Sequence, residues 1–232
     1  MKSVIGVSQN IGEDLKNVLR ILERYGSERN VEEMKRFGIV SKAKILGVPK
    51  PVLRKIAKKI SVNHELALKL WETNIHEARI LASLIADPKK VDENLMEKWV
   101  RDFDNWDICD QRVFNLFWRT SLAYRKAVEW SLRSEEFVRR AGFVLMAKLA
   151  MSDKRANDSV FKNFLPYLLE GARDNRKYVV KAVSWALRRI GRRSPRLREK
   201  VLKLVEEIEK IGTGNTRYIA RETIRELTKQ KK

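Results

Sequence analysis

Cysteine is almost absent from this sequence: Cys109 stands alone among 232 residues, so no internal disulfide is available. Histidine is nearly as scarce, and His64 and His76 fit no metal-ligand spacing, so neither a metal nor another cofactor is expected. No stretch approaches the roughly 18 uncharged apolar residues of a membrane span, and the opening MKSVIGVSQNIGEDLKNVLR has no apolar run suited to a secretory core. The expectation is a soluble, cytoplasmic protein with no membrane partner. Strand-like alternation is scarce, and no Gly/Ser linker or low-complexity block divides the chain. Acid is in deficit as well: 30 Asp and Glu stand against 50 Lys and Arg, a formal net charge of +20.

That imbalance creates a positive field that attracts polyanions, nucleic acid first and an anionic membrane surface second. A generally basic, highly soluble surface is the third reading that charge leaves open. The 44% of hydrophobic residues is enough for a substantial core, and they recur at helical spacing, as in Leu15, Val18, Leu19 and Leu22. Breaks fall at Gly47 with Pro49 and Pro51, Asp87-Pro88, Asp102 to Asn105, Pro166, Gly171, Gly191 with Pro195, and Gly212 to Asn215. Helices of roughly 10 to 18 residues are expected between them. The economical reading is one all-α domain over 1–228, a monomer by default, with a basic tail at 229–232.

The chain also repeats itself. RKYVVKAVSWAL (176–187) recurs 40 residues later as TRYIARETIREL, and VRRAGFVLMAKLA (138–150) falls under VVKAVSWALRRIG (179–191). HEARILASLIA (76–86) is a weaker relative. A period of this length built from helix pairs is the signature of a HEAT-like helical-repeat solenoid, whose units stack because none buries its own apolar face. Stacking bends such an array and creates a concave surface. If the second helix of each pair lines it, Arg140, Lys181 and Arg221 recur in register and make that surface basic, which suits a duplex backbone. Taken singly, each of these cations reads better as a solvated helix end, and it is their recurrence in register that favours the stripe.

One segment goes against the charge. In DFDNWDICDQ (102–111), Trp106 and Asp110 stand four residues apart and share a helix face, whereas Asp107 sits near the helix start, where a carboxylate favours the dipole. Asp104 or Asn105 is the expected cap. Phosphate repels a carboxylate placed at a DNA groove unless the bound substrate brings a cation, so Asp110 asks for a special partner. An ion pair to Arg112, Arg140 or another cation is the alternative. From periodicity alone Trp106 and Trp185 read first as core, the usual fate of tryptophan in a helical repeat.

LGVPKPVLR (46–54), Leu70 with Trp71, HEAR (76–79), NWDICD (105–110), RRAGFVLMAKLA (139–150) and VKAVSWALRRIG (180–191) stand in an order and spacing that resembles the AlkD-like DNA alkylation repair glycosylases, HEAT-like repeat proteins. The resemblance implies excision of cationic N3- and N7-alkylpurines from duplex DNA without a cofactor. It places the catalytic acid on Asp110, the paired aromatics on Trp106 and Trp185, and DNA-contacting cations on Arg140, Lys148 and Arg188, beside the Lys181 and Arg221 of the repeat. Where better-known members carry a tyrosine near the first repeat, this sequence offers Phe37, which keeps the ring and loses the hydroxyl.

The chemistry is coherent. A cationic purine leaves behind a sugar of oxocarbenium character, which a nearby carboxylate stabilises, while indole faces attract the charged nucleotide. At about 4 Å the attraction is worth roughly 1–4 kcal/mol, depending on the effective dielectric, and neutral lesions gain little from it. Two competing expectations remain: a HEAT-repeat scaffold that binds damaged or structured DNA without cutting it, and a protein-binding adaptor, which leaves Trp106 and Asp110 without a purpose.

Overall fold

The computed structural model describes residues 10–229, so of the tail at 229–232 only Lys229 is included and 230–232 lie outside the described residues. Among those residues the structure is helical, with no strand and a single isolated bridge between Lys44 and Ile75. It gathers into two compact units, one ending at Thr120 and the other beginning at Ser121.

The first unit holds α1 (Ile11–Arg24), α2 (Glu28–Arg36), α3 (Lys50–Ile60), α4 (His64–Glu72), α5 (His76–Ile85), α6 (Glu93–Arg101) and α7 (Trp106–Asn115). Side chains of Asn10, Ser27, Asn63, Asp92 and Asn105 accept first-turn amides and set where five of these helices begin. The core centres on Trp71 and Trp99, stacked 4.9 Å apart. The Arg112 guanidinium lies over both rings, 4.0 Å from one centroid and 3.8 Å from the other. It is fully buried, and its Nη2 donates to the Arg79 carbonyl at 3.3 Å. Burial pushes its pKa well down, Arg79 adds to that, and Asp102 opposes it. A flat, weakly hydrated guanidinium tolerates such a place because indole faces supply part of the lost attraction.

The second unit holds α8 (Ala123–Ser131), α9 (Glu136–Ser152), α10 (Asp158–Lys162), α11 (Leu165–Gly171), α12 (Lys177–Gly191), α13 (Pro195–Lys210) and α14 (Gly214–Thr228). Helix α12 packs against both α9 and α14, so the three segments aligned by self-comparison are neighbouring helices. Their shared faces bury Ala141, Val144, Val183, Ala186, Ile219 and Ala220. Where α8 meets α9 the backbones nearly touch: a Cβ on Gly142 would lie 2.4 Å from the Ser131 amide nitrogen. Helices α10 and α11, of 5 and 7 residues, are shorter than the spacing predicts. The turn at Asn163–Phe164 ends the first, and Pro166 sits in the first turn of the second, where its missing N–H costs nothing.

Candidate functional site

The first unit carries a cleft of about 390 Å³, built where helices begin. Its wall is the loop before α3, and that loop is held by one carboxylate. Glu77, 1% exposed, accepts the backbone amides of Leu46, Gly47 and Val48 at 2.9, 2.7 and 3.3 Å. Gly47 has φ +77°, and a Cβ there would lie 2.3 Å from the Ser27 carbonyl oxygen, so both backbone and space require glycine. The loop is tied at its other end by Lys44, whose amide donates to Asn74 and whose carbonyl accepts from His76.

On this frame the first residues of α3 and α5 converge on the second residue of α7. Lys50 Nζ lies 2.5 Å from Asp107 Oδ1, and His76 Nε2 lies 3.2 Å from Asp107 Oδ2. His76 and Asp107 are each 1% exposed, while Lys50 reaches the surface. Burial pushes the Asp107 carboxyl up, but the His76 hydrogen bond and the Lys50 ammonium outweigh it and hold the group below the usual aspartate range. Sequence reasoning gave Asp107 only the helix start. The available signal was the pair His76-Glu77 at the head of a largely apolar helix, both of which prove to be buried.

Beside this cluster stand two aromatic residues, Trp106 and Phe37. Trp106, half-buried at the first position of α7, donates its indole N–H to the Phe37 carbonyl at 3.1 Å. Phe37 caps α2 and is 75% exposed, and both residues line the cleft. Asn105 is the cap of α7, accepting from Asp107 and Ile108 at 3.0 and 3.1 Å, as expected. Asp104 instead accepts from the Ser41 hydroxyl and the Lys42 amide. Asp110 follows one turn after Trp106 on α7 and is half-buried. It is not among the residues lining the cleft.

The remaining expected residues belong to the second unit, and their surroundings differ. Trp185 is half-buried on α12. Lys181 and Arg221 are exposed on α12 and α14, and Arg221 lies 3.8 Å from Glu222. Lys148 is half-buried on α9. Arg140 departs from its counterparts in the repeat: it is 6% exposed, and Nη1 donates to the Tyr178 carbonyl at 2.6 Å, bridging α9 to α12. Arg188 pairs with Glu226 at 2.7 Å, and the same carboxylate meets Arg189 and Arg192 at 3.6 and 3.1 Å. Burial raises the Glu226 pKa, and those three arginines more than offset it. Sequence register identified equivalent positions on stacked helices but not equal exposure of their side chains.

Among the described residues, no group of three or more His, Cys, Asp and Glu side chains is placed to hold a metal, and no helix is long and apolar enough to cross a membrane. The sequence matches the family model described as DNA alkylation repair enzyme over residues 18–229. The chain belongs to this family. Among solved structures, one from a family related to the HEAT-like repeat DNA glycosylases, with affinity for branched DNA structures, matches at TM-score 0.76 and 22% identity. That match covers 91% of this chain and 94% of the other, and it shows a HEAT-like repeat fold. A designed armadillo repeat protein in complex with the peptide (KR)4 matches at TM-score 0.42 and 13% identity, over 97% and 96% of the two chains. No protein of curated function matches the sequence.

Proposed function

We propose that this member of the DNA alkylation repair family is a DNA glycosylase that releases positively charged N3- and N7-alkylpurines from duplex DNA. The observation that carries the reading is the pairing of Trp106 with Asp110 one turn further along α7, the indole fixed by its hydrogen bond to the Phe37 carbonyl. A ring held at one orientation offers its face to a cationic nucleotide without an entropic cost at binding. The carboxylate serves the charge that develops on the deoxyribose as the base departs, and it orients the attacking water. Phe37 adds an exposed ring for stacking. Trp185 is the second aromatic in this proposal, and Lys148, Lys181, Arg188 and Arg221 are the cations that meet phosphate. Arg140 acts there through α12, whose Tyr178 carbonyl it holds.

Base release from methylated duplex DNA at physiological salt tests this, with free purines identified as products. Wild-type protein releases N3- and N7-methylpurines, and Asp110→Asn slows release about a hundredfold while duplex affinity stays level. Unchanged turnover in that variant removes Asp110 from the mechanism. The branched-DNA affinity of the structural relative supports a second reading, in which this chain binds structured DNA and excises nothing. Under it, a four-way junction outcompetes linear duplex and no purine appears above the spontaneous rate.

A further inference from the structure

Lys50 poses a difficulty for any site that receives a cation. Its ammonium lies 5.9 Å from the centroid of the Trp106 ring, close enough to occupy part of the attraction that the ring offers. A bare ammonium there would also repel a positively charged nucleotide approaching the indole. Yet Lys50 is not bare, because the buried Asp107 carboxylate meets it at 2.5 Å, and that carboxylate is fixed in turn by His76. Burying a carboxylate, a histidine and a lysine stem together is costly, and an apolar trio of similar volume would pack α3, α5 and α7 more cheaply. Lys50, His76 and Asp107 line the same cleft as Trp106, the one aromatic of α7 that does so.

The geometry points to Asp107 as a specificity-determining residue: it neutralises Lys50 beside the Trp106 ring, so that the ring discriminates in favour of cationic nucleotides. This rests on the proposed recognition of such nucleotides at Trp106. Asp107 lines the cleft but is only 1% exposed, and its part in this inference is played through Lys50. Charge and packing then separate cleanly, because removing the carboxylate and removing the ammonium have opposite consequences for an incoming cation. Both variants break the same ion pair, so a purely structural role would move them in the same direction.

The test measures a preference rather than an affinity. Fluorescence anisotropy compares a duplex carrying one N7-methylguanine on a 2′-fluoro sugar, which resists base loss, with the same duplex unmodified. Taking the ratio cancels the general effect of each charge change on duplex binding. Asp107→Asn lowers the preference for the cationic duplex about tenfold, Lys50→Met keeps or raises it, and the double variant returns to the wild-type level. Lys50 reaches the surface, so Lys50→Met folds even if Asp107→Asn does not, and a fall in preference in Lys50→Met alone overturns the inference. So does a common direction of change in both single variants, or no change in either. Base release from dimethyl-sulfate-treated duplex is measured in parallel. Absence of release with the opposite shifts intact removes excision and keeps the role of Asp107; release with unaltered preference does the reverse.

Discussion

A carboxylate taken out of water is driven toward its neutral form unless cations and donors compensate it, and Asp107 is compensated on both oxygens. Its folded pKa lies below the unfolded value, so the stability it contributes is present above the ordinary aspartate range and is lost as pH falls through the folded pKa. At neutral pH, Asp107→Asn costs about 2 kcal/mol, since it replaces the carboxylate's charge-assisted hydrogen bonds with weaker neutral ones. Urea denaturation at a series of pH values checks the sign: the gap between wild type and variant is widest near neutrality and closes below about pH 4. A gap that widens toward acid contradicts the assignment. No reading of the sequence alone finds this residue's partners, because Lys50 and His76 stand 57 and 31 positions away and meet it only once three helix starts have been brought together.

Local signals fared better at the scale of elements. The cap at Asn105 and the breaks at Asp87-Pro88, at Gly191 with Pro195 and at Gly212 to Asn215 are legible because turn and capping chemistry is written in neighbouring residues, and at the last three the structure adds the caps Asp87, Ser194 and Thr213. Helix α7 depends on this most, since it presents Trp106 at its first position and Asp110 one turn later. Asn105→Ala removes the acceptor for two first-turn amides and costs about 1 kcal/mol. It also loosens the start that aims the indole, so the fall in thermal midpoint is accompanied by faster exchange of the Asp107 and Ile108 amides. Wild-type exchange at those two amides in the variant would mean that the loop from Asp102 to Asp104 fixes the helix start instead. The loop around Gly47 was legible only as a break. That its amides are gathered by Glu77, from a helix 30 residues away, is a tertiary fact with no sequence period behind it.

For the whole molecule, the charge of +20 predicts DNA binding that weakens steeply with salt, and exposure separates the cations free to meet phosphate under the proposed function from those committed to packing. The periodic reading gave Arg140, Lys181 and Arg221 the same standing, since a 40-residue repeat fixes backbone register. It does not fix burial, which depends on the neighbour that each helix meets. Lys181 and Arg221 are exposed, so Lys181→Ala or Arg221→Ala reduces the slope of log K against log salt by about 1 and leaves thermal stability nearly unchanged. Arg140 is buried against the Tyr178 carbonyl, and Arg140→Ala strands that acceptor between α9 and α12. Its cost appears as a lower unfolding midpoint, about 2 kcal/mol of stability, with the salt slope intact. If Arg140→Ala instead reduces the slope as Lys181→Ala does, the guanidinium leaves Tyr178 when DNA binds, and the repeated cations act as one stripe after all.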